Sequence, residues 1–358
     1  MEEDKIASAN RSVSIWILIG VVMLLIQVIL GGITRLTGSG LSITEWDVFT
    51  GILPPWSESQ WQNEFAQYKK HSQFRLLNAD FSLSDFKFIF FWEWFHRFWA
   101  RLVGIVFLVG FIYLLLKGKL KKNMVRPLLI LFLLGALQGA VGWLMVKSGL
   151  TGDAVYVEPT RLALHFVFAL GLIAYTFWIF LDLRISPNTW IRNKSLQIWT
   201  WIILFVLLFQ LSYGAMMAGY KAARIAPTWP KINGDWVPPS IFHGKDFWLN
   251  FIDNEITVHF IHRGLAYLMF ELILVWSWKA FHIRSAPNSL TKSRKLPAIF
   301  FLLQVILGIL TLLSSPGIIP NQWVTFDWLA LLHQVNGLLF FMVWIYMLYI
   351  IRSPVQQS

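Results

Sequence analysis

The chain contains no cysteine. Disulfides, thiolate metal sites and a thiol relay within it are thereby excluded, and histidine is left to bind any transition metal. Charge is the second scarcity. Asp, Glu, Lys and Arg make up 14% of the 358 residues, while 56% are hydrophobic and 16% aromatic. That balance lies well outside the range of soluble domains. No composition shift separates a soluble part from an apolar one. The N-terminus, MEEDKIASANRSVS, is acidic first, so neither a cleavable signal nor an Arg-rich transit peptide is visible. The first apolar segment reads as a retained helix.

What fills the chain instead is a series of eight apolar stretches, near 14–34, 92–116, 125–147, 160–182, 197–219, 258–280, 296–315 and 327–350. Each reaches the roughly 20 residues needed to cross about 30 Å of hydrocarbon. Any one alone reads equally as an amphipathic or buried helix, but eight in series leave no soluble core to bury them. The expected fold is therefore an all-α polytopic membrane protein. The net charge of +11 does not point to nucleic acid, because the basic residues gather in alternate short loops. These are Lys117, Lys119, Lys121, Lys122 and Arg126; then Arg184, Arg192 and Lys194; then Arg284, Lys292, Arg294 and Lys295. The last loop on the opposite side, 314–327, holds no Lys or Arg. By the positive-inside rule both termini are cytoplasmic and the odd loops face outward. A bacterial inner membrane, with lipid as the surrounding partner, is the expected location.

Two outer loops are long, about 34–91 and 220–257, and follow the first and fifth segments. They read as ordered caps. Ser57 followed by ESQWQNEFAQYKK predicts an N-capped amphipathic helix whose Trp61, Phe65 and Tyr68 share a face.

Four histidines sit near the outer ends of the second, fourth, sixth and eighth segments, and their spacing exposes a repeat. His96 to His262 is 166 residues, His165 to His333 is 168, and Gln138 to Gln304 is again 166. EWFHRFWARLVG resembles VHFIHRGLAYLMF, and RLALHFVFALG resembles LALLHQVNGLL. A duplicated half-chain predicts two pseudo-symmetric four-helix bundles, 1–182 and 183–358. Bundle cores commonly carry cofactor ligands on facing helices. Each half supplies two histidines, enough for one bis-imidazole heme. A single intramembrane histidine is as readily a hydrogen-bonded core residue, but four at repeat-related positions point to iron ligation. Gln27, Gln138, Gln210 and Gln304 place one polar residue in each odd helix, for which interhelical hydrogen bonding is the simplest role.

His259, three residues before His262, competes as a ligand, although the recurring His-Arg pairs, His96-Arg97 and His262-Arg263, favour His262. His71, His243 and His282 read as solvated. Glu93 lies one turn before His96 and is the only acid of FIFFWEWFHRFW. It reads either as a helix N-terminal charge or as a carboxylate beside a reacting heme. Its repeat partner is His259, so only one half has the acid, which suggests that one heme reacts and the other relays electrons. Arg35, Arg97, Arg101, Arg161 and Arg263 are candidates to hold heme propionates, with snorkelling to lipid phosphate as the alternative.

These residues resemble the heme A synthase family. GGITRLTGSGLSITEW, the LPP of GILPPW, FKFIFFWEWFHR, GWLMVKSGL, APTWPKINGDWVPP, FIHRGLAY and LLHQVNG are similar to its characteristic stretches. The resemblance runs from about residue 13 to 350 and is to the longer-looped branch without paired outer-loop cysteines. It implies oxidation of a heme O methyl group to a formyl group, by two hydroxylations to a gem-diol that loses water, in support of cytochrome oxidase biogenesis. It further implies that His96 and His165 hold the substrate heme, that His262 and His333 ligate a retained heme b, and that Glu93 is the acid of the family's E-x-x-H. Relatives commonly have Gln where this chain has His259. Implied partners are heme O, heme O synthase and an unidentified electron donor. Two other readings share the four histidines: a diheme b-type electron-transfer cytochrome or quinol oxidoreductase, and a heme carrier without chemistry.

Overall fold

The structure, a computed structural model, describes residues 2–44, 53–186, 190–242, 247–283 and 286–352. His243 and Arg284 lie outside the described residues. Twelve α-helices run through the described chain: α1 (Glu2–Leu36), α2 (Glu58–Tyr68), α3 (Ser72–Leu77), α4 (Leu83–Leu116), α5 (Lys122–Gly149), α6 (Pro159–Arg184), α7 (Lys194–Gly219), α8 (Asn250–Asp253), α9 (Glu255–Phe281), α10 (Asn288–Ser293), α11 (Leu296–Ser314) and α12 (Thr325–Ile350). Eight of them, α1, α4, α5, α6, α7, α9, α11 and α12, are long and apolar enough to cross a membrane. The chain is an all-α, multi-pass membrane protein.

Local chemistry sets the helix starts. Asn193 and Asn254 accept from the first free N–H groups of α7 and α9, and Pro159 opens α6 where its missing N–H costs nothing. One boundary departs from the sequence expectation. α4 begins at Leu83 and not near 92, because Ser82 and Asp85 form a reciprocal capping box there. The added turns, LSDFKFIFF, pack on α2. In the second half, α8 stands in the matching place, but Asn254 interrupts the helix before α9 begins.

The first long loop is an ordered cap. Ser57 and Gln60 form the capping box of α2, and Phe65 and Tyr68 are buried against Phe86 and Phe90 of α4. Phe65 stacks on Phe86 at 5.0 Å. The Tyr68 hydroxyl donates to Gln73 Oε1 at 2.9 Å and accepts from Asn78 Nδ2 at 2.8 Å. Ser72 and Gln73 in turn donate to the Gly152 and Val155 carbonyls of the α5–α6 connection. The two loops thus close over the same end of the bundle.

Each half packs in the same pattern: α1 on α4 and α6, α5 on α6; then α7 on α9 and α12, α11 on α12. The halves join through α6, α7, α12 and α1, with α12 the most buried helix. Gln334 Nε2 donates to the Val28 carbonyl at 2.9 Å, and Tyr349 donates to Asp182 at 2.8 Å, tying the halves at two depths.

One difference breaks the symmetry. α9 and α11 pack together, with Phe301 buried between Phe270 and Phe340, each ring 6.2 Å away. The repeat puts Gly104 and Gly135 at the places of Phe270 and Phe301, and a Cβ on either glycine would meet nothing within 4 Å. α4 and α5 touch farther from the histidines, where Phe132 meets Phe107 and Phe111 at 4.5 and 5.8 Å.

Candidate heme-binding centres

The four key histidines lie near one end of the bundle, on α4, α6, α9 and α12. His165, His262 and His333 fall six, seven and eight residues after their helices begin. His96 is thirteen residues into α4, deeper in its own helix than expected, because α4 extends outward beyond the shared level. His96 and His165 lie within electrostatic reach of each other, as do His262 and His333. The histidines are therefore paired by half, as the repeat predicts.

Each imidazole rests against a glycine of the preceding spanning helix. A Cβ at Gly31 would come within 3.2 Å of His96 Nε2, and one at Gly142 within 2.8 Å of His165 Cε1. The corresponding approaches are 3.2 Å for Gly214 to His262 and 2.9 Å for Gly308 to His333. Any side chain there would displace the ring. Four residues before each glycine stands a glutamine: Gln27, Gln138, Gln210 and Gln304. Their amides reach the same histidines. Gln27, Gln138 and Gln304 donate to the main-chain carbonyls of His96, His165 and His333 at 3.2, 3.1 and 3.1 Å. Gln210 Nε2 stands 3.5 Å from His262 Nε2. The glutamines bear out the expected interhelical bonding. The glycine partner was missed, although Q-x-x-x-G recurs in every odd spanning segment and is readable from sequence.

The halves differ in how the glutamine is held. Asn336 Nδ2 donates to Gln304 Oε1 at 2.6 Å and to the Phe300 carbonyl at 3.0 Å, which locks the amide. The first half has Phe168 at the matching position, and Gln138 Oε1 is buried without a partner.

Glu93 is buried at 2% exposure. Its Oε2 accepts from Ser42 N at 2.7 Å, Ser42 Oγ at 2.8 Å and Ile43 N at 2.9 Å, while Oε1 pairs with Arg97 at 2.5 Å. The helix-terminus reading of Glu93 does not hold, since α4 begins ten residues earlier. Its repeat partner, His259, occupies the analogous place: its Nε2 takes the Arg263 guanidinium at 3.2–3.3 Å. Arg263 then donates to the carbonyls of Ala226, Thr228, Pro230 and Lys231. In both halves, an acceptor and an arginine one turn later pin the long loop that precedes their helix. His259 Nε2 is thus engaged with Arg263, while the Nδ1 atoms of both His259 and His262 are buried and unpartnered.

The candidate propionate arginines divide accordingly. Arg97 and Arg263 are tied into the loops. Arg35 donates to the Ala218 carbonyl at 3.3 Å, with its Nε buried and unpartnered. Arg161 pairs with Glu158 at 2.6 Å and lines a cavity of about 840 Å³ that Lys147 and Lys221 also line.

Among the described residues, no group of three or more His, Asp or Glu gathers as a bare metal ion would require. Paired, half-buried imidazoles in apolar surroundings fit an iron whose remaining ligands come from a porphyrin. The donor set therefore suits heme.

Comparison with known proteins agrees. Residues 14–345 match the COX15-CtaA family, described as cytochrome oxidase assembly protein. A heme A synthase of Flavobacterium psychrophilum is 40% identical over 91% of this chain and 94% of its own length. Heme A synthases of Bartonella tribocorum and Paracoccus denitrificans are 38% and 37% identical, over 92% and 93% of this chain and 89% and 86% of theirs. With its eight spanning helices and paired histidines, this chain belongs to the cytochrome oxidase assembly protein family.

Proposed function

We propose that this chain is a heme A synthase that oxidises a methyl group of heme O to the formyl group of heme A, with the two halves dividing the work. The observation that carries the division is the unequal pair of sites. In the C-terminal half, 183–358, His262 and His333 would hold a resident heme b. In that half Phe301 is buried beneath the exposed Phe270, and Gln304 is locked by Asn336. In the N-terminal half, 1–182, His96 and His165 would hold heme O as substrate. That half is open at Gly104 and Gly135, and it alone carries a buried carboxylate one turn from its histidine.

A bound heme supplies the redox chemistry; the protein supplies placement and charge. The glycine faces and the glutamine tethers orient the imidazoles. Arg35 and Arg161 are the arginines best placed for propionates, Arg35 through its unpartnered Nε and Arg161 through its cavity. Glu93 already accepts four hydrogen bonds, so it acts by fixing residues 42 and 43 and placing negative charge near the reacting edge, not as a free base. Electrons come from an unidentified donor and heme O from its synthase. The basic alternate loops favour a bacterial inner membrane with both termini cytoplasmic.

The activity is tested by extracting heme from the purified protein after co-expression with a heme O supply. Heme A or its hydroxylated precursor beside heme b supports the enzyme; heme b alone would favour the diheme cytochrome. In Glu93→Gln, bound heme should persist while heme A output falls. Unchanged output would remove Glu93 from the reaction.

A further inference from the structure

We infer that the cleft between α4 and α5 is the binding site for the isoprenoid arm of the substrate heme, an inference that rests on the N-terminal half being the substrate site. Heme O differs from heme b by a long, flexible hydrocarbon arm on the ring edge. A site that takes heme O must house that arm, and a site dedicated to heme b need not. The repeat allows the two sites to be compared position by position.

Phe107 and Phe132 meet at 4.5 Å and close the inner end of the α4–α5 interface. Gly104 lies three residues before Phe107, and Gly135 three after Phe132. Because α4 and α5 run in opposite directions, both glycines stand one turn outward of the aromatic contact, on the faces that meet there. One further turn outward on α5 is Gln138, whose amide holds His165. His96 is eight residues from Gly104, about 12 Å along α4. The cleft therefore runs from the level of the paired histidines toward the membrane interior, with a phenylalanine floor and glycine walls.

In the C-terminal half Phe301 fills the matching space, and Phe270, itself 52% exposed, covers it from the surface. Phe301 is 9% exposed and stacks on Phe270 at 6.2 Å. Two large rings are thus replaced by two hydrogen atoms only in the half that carries Glu93. Gly104 and Gly135 are exposed, so the cleft opens sideways to lipid, the medium from which a hydrocarbon-tailed substrate arrives. Its continuity with the histidine site and its apolar lining commit it to the arm of the heme bound there.

The test restores the second half's rings to the first. Full-length protein carrying its C-terminal heme would be titrated in detergent with heme O and, separately, with heme b, following uptake at the second site optically. The wild type should prefer heme O. Gly104→Phe and Gly135→Phe should weaken heme O binding roughly tenfold or more, since the apolar arm loses its burial, while heme b binding stays within about twofold. Gly104→Leu, intruding from one wall only, should give an intermediate loss of heme O binding. Unchanged heme O affinity in variants that still take heme b would overturn the cleft assignment. Equal loss of both hemes in all three variants would also overturn it, by giving the glycines to the ring site. If wild-type protein takes up neither heme at a second site, the substrate-half reading itself fails, and the cleft with it.

Discussion

At the residue scale, four glycines and one carboxylate carry the most consequence. A methyl at Gly308 would stand 2.9 Å from His333 Cε1, while one at Gly139, on a similar lipid-spanning helix, meets nothing within 4 Å. Gly308→Ala should therefore change the low-spin spectrum of the C-terminal heme or lose that heme, and Gly139→Ala should leave it intact. Equivalent spectra would mean that the glycine face does not set the ring. Truncating Glu93 to Ala leaves the half-buried Arg97 without its carboxylate and the Ser42 N–H without its acceptor, a loss of about 1–3 kcal/mol. Thermal melting in detergent reads it, and a shift no larger than that of an exposed control would contradict the pinned loop. Lys221 gives a pH signature. Its ammonium lies 3.6 Å from the Tyr156 ring, and burial, then Arg224 and Arg35, push its pKa from 10.5 down to about 8. The folded value lies below the unfolded one, so the unfolded chain binds more protons between those values. Stability should rise with pH from about 8 to 10.5 and be lost as pH falls through 8. Lys221→Met should flatten that part of the curve; an unaltered slope would show that this ammonium is not the cause.

At the element scale, the eight spans, the capped helix over the outer face and the pairing of histidines by half were legible because their signals are local or periodic. Apolar runs, a Ser-x-x-Gln box and a 166-residue offset need no knowledge of packing. The start of α4 was not legible in the same way. FKFIFF continues the apolar run, and only the Ser82–Asp85 box and the cover provided by α2 show why the helix extends outward. The role of Glu93 was half legible: its burial near His96 follows from sequence, but its loop partners, 50 and 51 residues away, do not. The Gly104 and Gly135 gap was written in the repeat, yet it acquires meaning only when Phe270 and Phe301 are seen to fill the other half. Packing also makes the α2 cap testable. Phe65→Ala should cost about 3–5 kcal/mol of cap packing and raise amide exchange in 58–77 while the spanning helices stay protected. Uniform protection in the variant would mean that the cap is held by other contacts.

At the scale of the whole molecule, two halves with the same order of helix contacts carry unequal side chains. Both halves keep the glutamine, the glycine and the histidine pair, so both present the side chains proposed to hold a heme iron. The C-terminal half has added Phe301, Phe270 and Asn336, which close and stiffen it; the N-terminal half has glycine at two of those places and phenylalanine at the third, and it holds Glu93. A closed site suits a group that stays, and an open one suits a group that enters, reacts and leaves. The two halves meet through α6, α7, α12 and α1, which under the proposed function would set the path for electrons between the hemes. The most direct measurement is the heme content, by extraction and mass analysis, of His262→Ala and His333→Ala beside His96→Ala and His165→Ala, all co-expressed with a heme O supply. The C-terminal variants should lose heme b, and the N-terminal variants should keep heme b while losing heme O and heme A. Loss of heme b from the N-terminal variants, or its survival in both C-terminal ones, would contradict the division between the halves.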